Sequence, residues 1–197
     1  IDNDLAGTDF TIGFDTAVNT AVSAIDKIRD TAASHDRIFF VELMGRDAGY
    51  ISLHSGVASG AEHILMPEQP TDVVGLVESI DRARLSGKSS SIVIVCEGDD
   101  AGGAISIADQ FKKMRPDYDK RVTILGHIQR GGSPSANDRI LGTRLGIAAV
   151  DALLSGEKSV MAGIINGLVV FTPFSSCVKE NKPLSSELLN LINITSI

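Results

Sequence analysis

The loop 126–132 combines a histidine and an arginine with glycines, a combination typical of a phosphate site. His127 and Arg130 lie close together, with glycines on both sides. Cationic side chains bind phosphate oxygens through charge-assisted hydrogen bonds, and arginine can make two parallel ones. Glycine lets the backbone approach such a ligand. The loop therefore predicts a bound phosphate group, with a solvated turn as the alternative.

Three other places could act on a substrate hydroxyl or on a transferred phosphoryl group. Asp2 and Asp4 form a charged turn, and a free carboxylate there could take a proton from an attacking alcohol. Glu97 could accept a hydroxyl hydrogen bond, and Arg46 could stabilise developing negative charge. The structural alternatives are an Asx turn for the acidic segment, a hydrogen bond within the protein for Glu97 and a surface ion pair for Arg46.

Short apolar runs with the character of buried strands precede these residues. The runs cover 37–43, 63–66, 91–96 and 122–125. Helical spacing covers about 14–33, 48–60, 72–85, 104–114 and 137–154, and we expect Thr71 to cap the third helix. Strands that alternate with helices pair in parallel through right-handed crossovers. This predicts an α/β fold with an open, mainly parallel sheet and helices on both faces.

The carboxyl ends of such strands are where ligands bind in open α/β sheets, and Arg46, Glu97 and His127 fall there. Two more strands, 160–165 and 168–171, are expected around the turn at 166–167. A last helix is expected at about 184–192.

Composition favours an ordinary globular protein and limits its partners. The chain has 197 residues, of which 43% are hydrophobic, and its net charge of −7 argues against a nucleic-acid or membrane-surface partner. We find no membrane span and no secretory signal, so a cytoplasmic protein is expected. Cys96 and Cys177 are expected to be reduced. The sequence opens at Ile1 without a methionine, which we interpret as a cut through a longer protein.

Several motifs together resemble the bacterial 6-phosphofructokinases. They are residues 1–4 with 7–14, 42–46, 126–134 and the pair 138–139, and they occur in the order of that family. The likeness extends from residue 1 to about residue 171, and the tail matches only loosely. Their combination is far more specific than a single glycine pattern.

The resemblance implies phosphoryl transfer to the 1-hydroxyl of fructose 6-phosphate. Asp2 and Arg46 would be catalytic, with Asp2 as the base, and Asp4 would have at most an indirect part in metal binding. His127 and Arg130 would bind the 6-phosphate. The full set of implied substrate-binding residues is Asp2, Arg37, Met44, Gly45, Arg46, Glu97, Arg121, His127, Ile128, Gln129 and Arg130.

The resemblance also implies contacts between subunits. Arg37 and Arg121, which the sequence places just before strands, would reach the sugar site of a neighbouring subunit, so a homo-oligomer is expected, a tetramer in the family. An effector site for nucleoside diphosphate or phosphoenolpyruvate is implied at Arg29, Gly60, Ala61, Glu62 and Lys88. Because Ser86 and Ser90 stand where many members have basic or histidine side chains, we expect altered allosteric control.

The family binds ATP and Mg²⁺ mainly through an N-terminal half that this sequence lacks. Residues 1–197 would therefore be a truncated phosphofructokinase, inactive alone. About 15–125 plus 173–197 would form a Rossmann-like sugar-phosphate lobe, and 1–14 with about 126–172 would be the remnant of a second, donor-binding α/β lobe. We expect that remnant to be partly disordered or to associate, because the sheet it packs on is missing.

Other interpretations stay open at this stage. The phosphoryl donor is ATP or diphosphate, with ATP favoured. A noncatalytic module could hold a sugar phosphate or nucleotide with the same loops, although it would need no base at Asp2. A generic Rossmann-type domain with chance matches is a third interpretation, and the length and order of the matches argue against it.

Overall fold

A four-stranded parallel sheet forms the centre of the computed structural model, which describes residues 1–32, 37–178 and 182–195. The strands are β1 (Arg37–Leu43), β2 (His63–Leu65), β3 (Ser91–Cys96) and β4 (Asp119–Ile124), in the order β2-β3-β1-β4. Phe40 of β1 lies opposite Val93 of β3 and Val122 of β4. The predicted open parallel sheet is confirmed.

Four helices cover the two faces of this sheet. They are α1 (Phe14–Ala32), α2 (Tyr50–Ser59), α3 (Val73–Leu85) and α4 (Ala104–Met114). Alternate residues of a strand point to opposite faces, so Phe39 and Val41 pack in the cluster of α1 and α2. Ile38 and Phe40 pack in the cluster of α3 and α4. The prediction of helices on both faces is therefore confirmed.

The chain leaves the neighbouring strands β1 and β3 towards opposite faces of the sheet. From β1 it crosses to β2 through α2, and from β3 it crosses to β4 through α4 on the other face. The carboxyl ends of β1 and β3 therefore form the topological switch point of the sheet, and the space beyond them corresponds to the crevice in which open α/β sheets hold ligands.

The rest of the chain forms a 3-10 turn (Gly126–Arg130), α5 (Ala136–Leu154), an antiparallel hairpin of β5 (Val160–Ile165) and β6 (Leu168–Pro173), α6 (Phe174–Cys177) and α7 (Ser186–Thr195). The opening segment packs on the hairpin, since the Asp9 N–H donates to the Ile164 carbonyl at 2.7 Å. The Ile164 N–H donates to the Thr8 hydroxyl at 3.0 Å. No helix in the described ranges is long and apolar enough to cross a membrane.

The prediction of a Thr71 cap was wrong. The N-cap of α3 is Asp72, whose carboxylate accepts the Gly75 N–H at 2.9 Å. The Thr71 hydroxyl donates instead to the buried carboxylate of Asp99 at 2.6 Å. Asp and Thr are both suitable N-cap residues. Because the Thr71 hydroxyl is bonded to Asp99, the neighbouring Asp72 caps α3.

The predicted start of β4 was also wrong. The strand begins at Asp119 rather than Val122, so Arg121 lies inside it and not before it. Residues 119–121 pair with the first residues of β1. Because β4 is an edge strand with mostly exposed side chains, these charges cost little there.

Candidate functional site

Glu97 joins the two strand ends at the switch point. Its carboxylate oxygen Oε1 accepts the N–H of Arg46 at 2.8 Å and that of Gly45 at 3.3 Å. Its own N–H donates to the Leu43 carbonyl at 3.0 Å. The side chain is exposed, and Oε2 makes no hydrogen bond to any described residue. This second oxygen can therefore accept a hydroxyl group of a ligand in the crevice.

Gly98 allows the close approach of these two segments. A Cβ atom at Gly98 would lie 1.8 Å from the carbonyl oxygen of Arg46. Arg46 has a left-handed φ of 51°, and its exposed guanidinium makes no ion pair with a described residue. Met44 is only 4% exposed and belongs to the core. The charged group offered to the crevice is therefore that of Arg46, while Met44 fixes the backbone.

The 3-10 turn presents both of its cationic side chains to the surface. His127 and Arg130 are exposed, and so is Ile128. Gln129 is 1% exposed; its Nε2 donates to the Gly126 carbonyl at 3.1 Å, while Oε1 has no partner among the described residues. Gln129 thus anchors the turn, and both cations remain free to bind an anion.

Asp138 fixes this turn region to the start of α1. Its buried carboxylate accepts the N–H groups of Gly13 and Thr16, each at 2.8 Å, and the Thr16 hydroxyl. The same hydroxyl accepts the N–H of Ser135 at 3.0 Å. A carboxylate at a helix N-terminus satisfies donors that have no partner inside the helix. One side chain therefore joins α1, α5 and the loop between the 3-10 turn and α5.

The opening turn is ordered by the side chain of Asn3. The N–H of Thr11 donates to Asn3 Oδ1 at 2.8 Å, and Asn3 Nδ2 donates to the Asp9 carbonyl at 3.2 Å. Asp2 Oδ1 is buried and has no partner among the described residues, whereas Asp4 is exposed. A buried carboxylate oxygen without a partner is costly, which is what a proton-accepting group awaiting its substrate would show.

The structure brings only some of the predicted site residues into direct contact. Glu97 contacts Gly45 and Arg46. A cavity of about 610 Å³ is lined by Ile1 of the opening turn together with Gln129 and Arg130 of the 3-10 turn. The other predicted site residues, which include Asp2, Glu97 and His127, do not line this cavity.

Arg37 lies at the amino end of β1, and Arg121 is the third residue of the neighbouring edge strand β4. Arg37 Nε donates to Asp119 at 2.7 Å, and Arg121 Nη1 donates to the same carboxylate at 2.6 Å. The hydrogen bond from Arg37 holds the pKa of Asp119 below its ordinary value. A strand of seven residues spans roughly 20 Å, so Arg37, at the start of β1, lies about that far from the carboxyl end of its own strand.

The predicted effector residues converge near the start of β2. Arg29 Nη1 and Lys88 Nζ lie 3.8 and 3.7 Å from the same oxygen of Glu62. Arg29 also donates to the Ser59 and Gly60 carbonyls, and Glu62 accepts the Ile92 N–H at 2.7 Å. The two cations are partly exposed and only loosely paired. They could therefore turn to an anionic ligand.

The residues present do not fit a magnesium site on their own. No group of three or more His, Cys, Asp or Glu side chains within the described ranges could hold a metal ion. Asp4 supplies one exposed carboxylate. We therefore assign no step of a reaction to a metal held by this chain.

Two residues important for the geometry were missed by sequence analysis. Asp138 was part of a recognised motif, but its bonds to Gly13 and Thr16 join positions more than 100 residues apart and leave no local pattern. Gly98 had a weak signal, because a glycine directly after a strand-end carboxylate often allows a close backbone approach.

The fold and the site define an open α/β protein in which Glu97 is joined to Arg46 at the switch point and a histidine and an arginine are exposed on the loop after β4. The family model described as Phosphofructokinase matches residues 1–153, and the chain belongs to this family. It is 53% identical over its whole length to an ATP-dependent 6-phosphofructokinase 2 of Bacteroides thetaiotaomicron and 52% identical to an ATP-dependent 6-phosphofructokinase 1 of Thermus thermophilus. The chain spans 60% and 61% of these two relatives.

The solved structures agree with this assignment. A phosphofructokinase from Saccharomyces cerevisiae superposes with a TM-score of 0.83 at 35% identity, covering 98% of this chain and 26% of the yeast chain. A pyrophosphate-dependent phosphofructokinase from Marinobacter aquaeolei superposes with a TM-score of 0.77 over 98% of this chain and 57% of its own. At 22% identity the second match speaks for the fold alone.

Proposed function

We propose that this chain serves the phosphorylation of fructose 6-phosphate on its 1-hydroxyl and supplies the sugar-phosphate side of that active site. The arrangement at the switch point carries this proposal. Glu97 accepts the Arg46 backbone N–H there and keeps one carboxylate oxygen without a partner among the described residues, and the Arg46 side chain is exposed. One group can hold a sugar hydroxyl while the other faces the negative charge of a phosphoryl group.

The roles of the other residues follow from their chemistry. Asp2 takes the proton from the attacking hydroxyl, as its buried oxygen without a partner favours. His127 and Arg130 bind the 6-phosphate from the exposed 3-10 turn, and Ile128 and Gln129 shape that turn. Met44 and Gly45 set the backbone beside the sugar.

The phosphoryl donor in this proposal is ATP with Mg²⁺. The names of the curated relatives support ATP over diphosphate. The nucleotide supplies the phosphoryl group when bound, and the residues described above contribute only the acceptor side, with Asp4 at most indirectly involved. Positioning is most of the catalysis in such transfers, so the isolated chain should turn over very little.

The wider organisation belongs to the same proposal. The working protein is a cytoplasmic homo-oligomer, a tetramer, in which Arg37 and Arg121 complete a neighbour's sugar site. The position of Arg37 at the amino end of β1, where it shares the Asp119 carboxylate with Arg121, supports this. Arg29, Gly60, Ala61, Glu62 and Lys88 bind a nucleoside diphosphate or phosphoenolpyruvate. Residues 15–125 with 173–197 form the sugar-phosphate lobe, and 1–14 with 126–172 belong to the donor lobe.

A chimera tests the proposal. The N-terminal part of the Bacteroides relative, up to its match with Ile1, is joined to this chain and assayed with fructose 6-phosphate and either ATP or diphosphate. We expect ATP-dependent formation of fructose 1,6-bisphosphate, and a loss of about 10²- to 10⁴-fold on Asp2→Asn. A folded chimera that binds no sugar phosphate would refute the proposal. Activity with diphosphate instead would overturn the choice of donor.

A further inference from the structure

Lys182 binds the opening turn from the other end of the chain. Its Nζ donates to the Asn3 carbonyl at 3.2 Å and to the Asp9 carbonyl at 2.7 Å. Asn3 stands between Asp2 and Asp4, so one bond holds the peptide between Asn3 and Asp4, one residue beyond Asp2. The Asp9 carbonyl also accepts Asn3 Nδ2. Lys182 therefore closes the opening turn into one hydrogen-bonded unit.

Tyr50 of α2 holds Lys182 in place. The Tyr50 hydroxyl donates to the Lys182 carbonyl, and the ammonium group lies 5.2 Å from the centroid of the Tyr50 ring. A cation over an aromatic face is attracted by the ring. Burial raises the pKa of Tyr50 to about 12, so its hydroxyl remains a donor. Because Tyr50 begins the helix that follows Arg46, Lys182 connects the opening turn to the segment behind the crevice.

The charged groups around Lys182 have opposing effects on its ammonium group. Burial lowers the pKa of Lys182 to about 8, while the carboxylates of Asp9 and Asp4 favour the charged form. His54 of α2 also faces it, and burial followed by the charge of Lys182 lowers the pKa of this histidine. At neutral pH the pair is therefore a charged lysine beside a neutral histidine.

We propose that Lys182 is a positioning residue for the phosphoryl transfer proposed above, and that its ammonium group holds the Asn3 peptide so that Asp2 keeps the orientation needed to accept a proton. The inference rests on the proposed function. Two charge-assisted bonds to carbonyls of one turn favour this role over simple surface packing. The tail that carries Lys182 would then act directly on the catalytic turn.

Amide hydrogen exchange on the chain itself tests the contact without any activity. The probe is the Thr11 N–H, which donates to Asn3 Oδ1. With Lys182→Met we expect exchange at Thr11 to rise about tenfold at neutral pH, because the turn loses two charge-assisted bonds. Lys182→Arg should retain most of the protection. Lys158→Met, at an exposed lysine without a partner in the described residues, is the matched control. Wild-type exchange at Thr11 in Lys182→Met would overturn the proposal.

Kinetics of the chimera test the consequence for catalysis. Lys182→Met should lower kcat about tenfold or more with the KM for the sugar phosphate changed less than about twofold, because only the base is misplaced. In the parent chimera kcat should fall as the pH rises through about 8, and Lys182→Arg should shift this fall to higher pH. An unchanged kcat in Lys182→Met would overturn the positioning role. A parent chimera without activity would refute the proposed function. The exchange result would still show whether Lys182 holds the opening turn.

Discussion

The carboxylate of Glu97 accepts a hydrogen bond from the backbone N–H of Arg46 at 2.8 Å. This bond joins the ends of β1 and β3 at the place where the chain turns to opposite faces of the sheet. It uses one carboxylate oxygen and leaves the other free. Glu97 therefore has a structural role besides the ligand-binding role proposed for it, and variants can separate the two.

Glu97→Gln should weaken sugar-phosphate binding but keep the fold. The amide oxygen still accepts the two N–H groups, so the free energy of unfolding should change by less than about 1 kcal/mol. A ligand hydroxyl loses a charged acceptor, which we expect to weaken binding about tenfold or more in calorimetric titrations of the chimera. Glu97→Ala, as the comparison, should lose both binding and stability. Equal affinity of Glu97→Gln and the parent would contradict the assigned role.

Gly98→Ala should separate the strand ends that Glu97 joins. The new Cβ would lie 1.8 Å from the Arg46 carbonyl oxygen, so the backbone has to move. We expect a loss of about 1–3 kcal/mol in the free energy of unfolding by urea, together with weaker binding. Gly146→Ala in α5 is the control, because a Cβ atom at Gly146 would point into open space. The control should gain up to about 1 kcal/mol from helix propensity.

The core of the fold could be predicted from the sequence because its signals are local. The strand 91–96 is apolar from Ile92 to Cys96 and buried at every residue, and α4 was placed at 104–114 from its helical spacing. Boundaries that depend on a partner were not predictable. Asp119 belongs to β4 because Arg37 lies opposite it, and no pattern within 119–121 indicates a strand.

The candidate site likewise has features that the sequence predicts and features that it does not. The rule that ligands bind beyond strand ends directed attention to Arg46 and Glu97, and the structure joins these two residues by a hydrogen bond. The close backbone approach at Gly98 and the bond from Lys182 to Asn3 depend on segments far apart in the chain. Such contacts follow from the folded backbone. The glycine directly after Glu97 gave a weak sign of the first contact, and no sequence spacing indicated the second.

Mixed oligomers should reveal whether Arg121 serves a neighbouring subunit. In the chimera, Arg121→Ala removes the donated arginine and Asp2→Asn removes the base, so each variant alone should have little activity. Random assembly of equal amounts should restore about a quarter of the wild-type activity, because some sites combine an intact base with an intact neighbour. Mixing Asp2→Asn with Glu97→Ala is the control and should restore almost nothing if both residues serve the site of their own chain. No recovery in the first mixture would argue against the shared site.

The isolated chain should self-associate through α5. Large apolar side chains on this helix are exposed, with Leu154 at 82% and Ile147 at 60%. Exposed apolar surface of this kind favours association. Ile147→Glu combined with Leu154→Glu should shift the chain towards monomer in analytical ultracentrifugation. Ala149→Glu on the same helix adds charge while removing only a methyl group, and it should have a smaller effect. A monomeric parent chain at high concentration would contradict this expectation.

Alkaline pH should destabilise the chain through Cys96. Burial raises the pKa of this thiol from 9.0 to about 11. Between these values the unfolded chain loses the thiol proton while the folded chain keeps it, so the contribution of Cys96 to the free energy of unfolding falls as the pH rises. The lowered pKa of Lys182 acts in the opposite direction above about pH 8, in the parent and in the cysteine variants alike, so the slopes of the variants are compared with one another. The difference corresponds to about 2–3 kcal/mol in the free energy of unfolding.

Cys96→Ala should remove this part of the pH dependence. The variant loses a buried sulfur and should be less stable below pH 9, by about 1–2 kcal/mol. Its free energy of unfolding should then fall less steeply than that of the parent as the pH rises towards 11. Cys177→Ala also removes a buried free thiol and is the matched control. It should retain the steep fall because Cys96 is still present. Equal slopes of the free energy of unfolding against pH for Cys96→Ala and the parent, measured in urea titrations, would show that another group controls this pH dependence.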